Sequence, residues 1–239
     1  MSGFVVSLLK LQRIIKFQFR RLVRKNPSLT YFEFRFVRPR PKLLVRRDTD
    51  ILIEGYPRSA NTYTVLAIRQ SNPGIVIANH LHAAAHVKLA VGYEVPVLVI
   101  IRDPDSAVRS LLVRRPDIHP KHAFIDYADF YSEVESLKES LVLAHFSTAV
   151  EDIEAVVRKI NERFGLLLAT EGLRESQGEV MNSIIQANRY ANGGEVNPRS
   201  IPAPSVERNL YKEKISFDSC EDARLAAVSI YRRLLEHSI

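Results

Sequence analysis

The sequence predicts an α/β fold, a mostly parallel sheet flanked by helices. Three observations carry that prediction. Short apolar runs recur at 51–54 (ILIE), 75–78 (IVIA), 95–101 (VPVLVII) and 141–146 (LVLAHF), with helix-length stretches between them. The runs are apolar at consecutive positions instead of alternating, as strands buried on both faces are. Polar segments follow the first three runs directly, and in such sheets ligands bind beyond the carboxyl ends of the strands.

The elements follow in order. Residues 4–25 place Leu8, Leu11, Ile15, Phe19 and Leu22 at helical spacing, with Lys10, Arg13, Arg20, Arg21 and Arg24 mostly off that line, which predicts an amphipathic helix. Residues 31–38 (YFEFRFVR) alternate aromatic and polar groups and predict a short edge strand, ended by Pro39 and Pro41 at a linker near 38–42. Domain organisation is therefore a basic arm over 1–42 and one α/β domain over 43–239. Within the domain, helices are expected from Thr62, over His82–Leu89, from Pro104 to Pro116, over Ala123–Lys138, over Glu151–Phe164 with Gly165 as its left-handed cap, weakly over 174–191, and over 206–214 and Asp222–Glu236. LLLA at 167–170 reads as a further strand. Gly193–Ser205, rich in Gly, Pro, Asn and Ser, is long enough to be a ligand loop.

Composition narrows the classes. The chain has 239 residues, enough for a substantial core without staples, and its 26% charged and 46% hydrophobic residues are those of a globular protein. Cys220 is the only cysteine, which excludes an internal disulfide and a cysteine-cluster metal site, and favours a reducing, cytoplasmic compartment. The net charge of +7 is unevenly distributed. Residues 1–47 hold 13 Lys/Arg and a single acid, Glu33, so the remainder is mildly acidic. The arm reads as a helix packed on the body with its basic face in solvent, or as one lying on an anionic membrane surface through residues 4–25. Nucleic acid is not expected as a partner, because no reading module or stacking platform follows. The arm is too interrupted by charge to span a bilayer.

Three polar segments could carry chemistry. Residues 55–62 (GYPRSANT) lie between a strand and a helix, where a tight turn aims backbone N–H groups at one point and the helix adds its positive end. Arg58 supplies a fork of donors, and Ser59, Asn61 and Thr62 offer side-chain contacts; the alternative is a polar turn capping the helix. The loop is not GxxxxGK[ST]. Arg102, at the end of the third strand, and Ser110 could grip a second phosphate, or Arg102 could pair with Asp103 or Asp105. His80 follows the second strand directly, where an imidazole can take a proton from an alcohol, or could equally cap or fill the core. His82 and His86 share a helix face but lack the glutamate of HExxH and an evident third ligand.

Together Pro57-Arg58-Ser59-Ala60-Asn61-Thr62, His80, and Arg102 with Ser110 resemble, in order and spacing, the nucleotide-dependent sulfotransferases, over roughly residues 50–165. The resemblance implies a P-loop nucleotide-binding type of sheet, and 3′-phosphoadenosine 5′-phosphosulfate as co-substrate with no metal. It also implies transfer of the sulfuryl group to a hydroxyl of a carbohydrate, lipid or small alcohol. His80 would be the base and Arg58 would stabilise charge on the leaving group. Residues 57–62 would hold the 5′-phosphosulfate, Tyr63 would stack on adenine, and Arg102, Ser110 and Arg199, with Arg208 as rival, would hold the 3′-phosphate. Ala60 stands where the family has glycine, which fits if that position keeps a negative φ. Ala78 stands where many members carry a lysine, a charge Arg58 would replace. Two other readings remain: a non-catalytic nucleotide- or anion-binding protein of the same fold, and a kinase-like phosphoryl transferase, which should show a Walker lysine.

Overall fold

A computed structural model describes residues 2–201 and 206–239; the side chains of residues 2–11 and 13 lie outside the described residues. Helix α1 (Ser2–Lys25) leads into α2 (Pro27–Phe32), which Asn26 caps through its side chain and Pro27 starts. A π-helical turn (Glu33–Val37) follows. The edge strand expected at 31–38 is therefore a helix. Phe34 is buried with Leu44, Leu81 and Ala83, so its alternation with exposed Phe32 and Phe36 is satisfied by one helical turn without a partner strand.

The residues expected to be a linker are tied down. Arg40 N–H donates to Phe34 O at 2.8 Å, Asn79 N–H to Leu43 O at 3.1 Å, and Leu44 and Val45 are buried.

The sheet is wholly parallel: β1 (Ile51–Gly55), β2 (Ile77–Asn79), β3 (Val97–Ile101) and β4 (Val142–His145), in the order β2-β1-β3-β4. β1 pairs Leu52 with Val97 on one side and Ile51 with Ile77 on the other. Its first connection runs one way and its second the other, so the chain reverses direction at the β1/β3 crevice, where ligands of such sheets bind. Between the strands lie α3 (Asn61–Ser71), α4 (Ala84–Gly92), α5 (Pro104–Arg114) and α6 (Pro120–Glu135). After β4 come α7 (Phe146–Glu151), α8 (Ile153–Phe164), α9 (Gln177–Ala191), α10 (Val206–Glu213) and α11 (Glu221–Leu235).

Helices cover both faces. Leu52, Val97, Val99 and Leu143 pack against α4, α6 and α11, while Ile51, Ile53, Leu98 and Ile100 pack against α3, α8 and α9. β4 is the sheet's far edge, and the chain end runs along it: His145 N–H donates to Ile239 O at 2.8 Å and Ile239 N–H to Leu143 O at 3.1 Å.

Two further expectations change. Residues 167–170 are not a strand. Leu167 is 98% exposed, and the Leu168 and Ala169 N–H groups donate to the side chains of Asn161 and Asn72, so the ladder a strand would need is already spent. The helix expected over Glu151–Phe164 begins at Ile153, because Asp152 leaves helical geometry and caps Ala155.

The orientation of α1 is inverted from its sequence reading. Ile15, Phe19 and Leu22 are exposed, whereas Phe17 and Val23 are buried. Arg20 and Arg24 pair with Asp126, and Arg21 and Lys25 with Asp129, all on α6. The basic side, not the apolar stripe, faces the body. Leu8, Lys10, Leu11 and Arg13 lie outside the described side chains.

Candidate active site

β1 must end in a glycine. A Cβ at Gly55 would come within 2.6 Å of Ile100 O and 2.8 Å of Asn61 Oδ1, so only glycine lets the loop leave the sheet beside β3. Asn61, itself buried, donates from Nδ2 to Gly55 O at 3.2 Å and ties the far end of the loop back to the strand. Between them Arg58 (φ 75°) and Ala60 (φ 64°) are left-handed, and α3 starts at Asn61 with no side-chain cap on its amides. The capping alternative is thus not what the structure adopts. Ala60 does not keep the negative φ that would make alanine an easy substitute for glycine; the turn needs the left-handed conformation and bears its strain. Ala60→Gly is therefore expected to stabilise the protein by roughly 0.5–1 kcal/mol, the relief of left-handed strain less the added freedom of the unfolded chain. Urea unfolding measures it, and an unchanged or lower midpoint contradicts a positive φ at this position.

Tyrosines of α6 hold the two rim loops together. Tyr131 OH donates to Ile100 O at 2.7 Å and accepts from Tyr56 N–H at 3.2 Å; Tyr127 OH donates to Arg102 O at 2.6 Å. These positions are not among the candidate site residues named from the sequence. Their signal was a pair of tyrosines four apart on a buried helix face, whose hydroxyls need partners.

The arginines converge. Arg102 donates from Nη1 to Arg58 O at 2.6 Å, from Nη2 to Ser106 Oγ at 2.7 Å, and lies 4.0 Å over the Phe146 ring. Arg58 Nε donates to Ser110 Oγ at 3.1 Å, and its remaining nitrogens donate to Ser200 O and Ile201 O. Arg208, 2% exposed, donates to Ser110 Oγ at 2.9 Å and to the carbonyls of Arg199 and Ile201 at 2.8 Å each. Ser110 thus joins Arg58 to Arg208, and Arg102 bonds Ser106 in its place. Arg199 lies instead with its guanidinium 4.6 Å over Tyr211 and does not line the cavity; Arg208, its rival, does.

These groups line one cavity of about 690 Å³ at the carboxyl ends of β1 and β3, a size in the range of cofactor and ligand pockets. Pro57, Arg58, Ala60, Asn61, Thr62, Tyr63, His80, Arg102 and Ser110 all contribute to its wall. Ser59 is fully buried beneath the loop and offers the cavity no side chain. Among the described residues, the wall carries nine cationic side chains against one acid, Asp126, which is already engaged with Arg20 and Arg24. Among the described residues, Arg58, Arg102 and Arg114 have no carboxylate in ion-pair range. Burial and then the fields of Arg208, Arg114 and Arg102 push Arg58 down to about 9. Burial, followed by Arg208, Arg102 and Arg58, likewise lowers Lys212. Crowding of partly buried cations favours a bound polyanion.

The histidines divide into structural and cavity groups. His86 Nε2 accepts from Val45 N–H at 2.8 Å, so its proton is on Nδ1 and points at Glu54 Oε1, 2.9 Å away. Glu54, fully buried on β1, also accepts from Leu81 N–H at 2.8 Å and from His82 N–H. Burial raises its carboxyl, but the hydrogen bond from His86 and the fields of the neighbouring imidazoles outweigh that and leave it below its ordinary value. This buried carboxylate, absent from the sequence reading, braces the backbone on which His80 and His82 sit at φ 61° and 51°. His86 is thereby a core residue, and no group of three or more potential metal ligands occurs among the described residues.

His80 is on the cavity wall. Asn79 Nδ2 donates to Ile77 O at 3.0 Å, which turns Asn79 Oδ1 toward His80 Nδ1 and places the His80 proton there. Nε2 is left with its lone pair, accepting from Thr62 Oγ1 at 2.9 Å. Burial, then the field of His82, holds His80 down to about 4, so it is neutral at physiological pH. His82 donates from Nδ1 to Gly55 O at 2.8 Å and also reaches the cavity.

No family model matches the chain, and neither does any curated protein. Among solved structures it resembles mouse sulfotransferase SULT7A1 complexed with PAP, at 15% sequence identity and a TM-score of 0.50, over 82% of this chain and 91% of that one. The likeness extends well beyond the loops and shows a shared fold: a parallel sheet covered by helices, of the α/β nucleotide-binding kind.

Proposed function

We propose that the chain transfers a sulfuryl group from 3′-phosphoadenosine 5′-phosphosulfate to an acceptor hydroxyl, with His80 as general base. One observation carries the reading: an excess of cations, with Arg58 and Arg102 half-buried and out of ion-pair range of any described carboxylate, shares a single cavity wall with a neutral imidazole whose Nε2 holds a lone pair. Arg58 and the free amides of the loop and α3 would take the phosphosulfate end of the donor. Arg102, Ser110 and Arg208 would take the 3′-phosphate, while Arg199, stacked on Tyr211, would not reach it. Tyr63 on the wall would meet the adenine.

The acceptor oxygen attacks sulfur as its proton passes to His80 Nε2 and the sulfur–oxygen bond to the 5′-phosphate breaks. The electron pair of that bond stays on the phosphate oxygen, beside Arg58. Ala78 is buried in the core on β2, so the lysine that many sulfotransferases carry there has no counterpart, and Arg58 supplies the charge. Acceptors of this chemistry are hydroxyls of carbohydrates, lipids or small alcohols. The unpaired, buried Cys220 suits a reducing compartment such as the cytoplasm.

Incubation with donor labelled in the sulfuryl group and a panel of hydroxyl acceptors tests the reading. Transfer supports it. Binding of 3′,5′-adenosine diphosphate without transfer favours the non-catalytic alternative, and preference for ATP with Mg²⁺ favours the kinase-like one. Arg102→Ala is expected to weaken binding of 3′,5′-adenosine diphosphate by about tenfold or more, the worth of a charge-assisted contact, as read by calorimetry. Unchanged affinity would remove Arg102 from the site.

A further inference from the structure

The inverted α1 leaves an apolar surface that the fold does not use. Ile15, Phe19 and Leu22, at helical spacing on α1, are 58%, 64% and 57% exposed. In the next elements Phe32 and Phe36 are 57% and 63% exposed, with their rings 5.4 Å apart, and Val37 beside them is also exposed. Large apolar side chains gathered on consecutive elements mark an interaction surface. The same stretch of chain carries the exposed cations Lys16, Arg35, Arg38 and Lys42. The only acid in residues 1–47, Glu33, is 3.4 Å from Arg38. The cations nearer the body, Arg20, Arg21, Arg24 and Lys25, are spent on Asp126 and Asp129 and hold the helix in place.

We propose that the outer face of α1 and of residues 31–42 docks the protein on an anionic lipid bilayer. The apolar side chains enter the headgroup–acyl boundary, and Lys16, Arg35, Arg38 and Lys42 lie at the level of the anionic headgroups. Both halves of the surface are used: apolar burial gives affinity, and the cations select negative lipid. A second copy of the chain fits less well, since a two-fold interface would bring the same cations face to face with no acid to separate them. Nucleic acid would use the cations and aromatics but gives Ile15, Leu22 and Val37 no partner. No helix among the described residues is long and apolar enough to cross a membrane; the attachment proposed is a peripheral one. Arg20, Arg24 and Arg40 of the same arm line the cavity. The proposal does not depend on the reaction assigned to that cavity.

Flotation of the full chain with vesicles of phosphatidylcholine, and of phosphatidylcholine mixed with phosphatidylserine, tests it. Enrichment on the anionic vesicles is expected, falling as salt is raised. The double substitution Phe19→Ser with Phe36→Ser is expected to lower the bound fraction by about tenfold or more, from the apolar area of two rings. Because both residues are more than three-fifths exposed, the melting temperature should move little. Lys16→Glu with Lys42→Glu should abolish the preference for anionic over neutral vesicles. Equal recovery with and without vesicles overturns the proposal. So does a self-association or nucleic-acid binding that the serine pair abolishes while no vesicle binding is found.

Discussion

Replacing His80 by alanine is expected to lower sulfuryl transfer at saturating donor by roughly 10²–10⁴-fold, the usual contribution of a positioned general base, while 3′,5′-adenosine diphosphate binds nearly as before. The separation follows from the geometry. His80 is bonded to Asn79 and Thr62 and to none of the arginines that gather around Ser110. Single-turnover transfer and calorimetry on the same preparation read the two quantities.

A pH profile adds a second measure. An imidazole held near 4 is unprotonated throughout the neutral range and loses its lone pair only as pH falls toward that value. The acid limb of kcat/KM, which reports the free enzyme, is therefore expected well below the ordinary histidine value of about 6.5. Full turnover of His80→Ala would end the assignment. The nearest candidate would then be His82, whose Nδ1 is committed to Gly55 O while its Nε2 makes no hydrogen bond among the described residues.

Arg58→Ala is expected to cost about 3 kcal/mol in the barrier, on the order of a hundredfold in rate, by removing a preorganised donor from the place where leaving-group charge accumulates. It should also weaken nucleotide binding, since Arg58 holds Ser110 and the carbonyls of Ser200 and Ile201 and so couples the loop after β1 to the chain before α10. Arg58→Lys separates the effects. It restores a charge but not the fork, so it should recover part of the rate and little of the ordering of residues 200 and 201, read as protection from proteolysis. A rate in Arg58→Ala within a few-fold of the parent would remove Arg58 from the reacting centre.

Much of this site was legible in the chain because its signals are local. A glycine ending an apolar run, an arginine at the mouth of a loop and a histidine immediately after a strand are set by one or two turns of backbone. The order of the strands made their meeting at one rim predictable. Arg199 and Arg208 show where such reasoning stops. Both sit in a segment with no strong periodicity, and the choice between them depends on how α10 packs on α5, a contact about a hundred residues apart in sequence. Glu54 shows the same limit. In an apolar run it reads as a minor interruption, yet its worth comes entirely from the Leu81, His82 and His86 donors brought to it from the next crossover.

The arm gives the clearest division. Its sequence established a helix with an apolar stripe and a basic side, because periodicity is a property of neighbouring residues. Which side turned inward was decided by Asp126 and Asp129 on α6, whose carboxylates offer the arginines ion pairs that solvent would otherwise supply. The same holds for Ala60. The chain named the residue, but its place in the turn between β1 and α3 gave it a positive φ. Short-range sterics and patterning thus determined the α/β class, the strands and the candidate loops from the sequence alone. Charge compensation, burial and backbone strain depend on partners distant in the chain, and only the tertiary structure decided them.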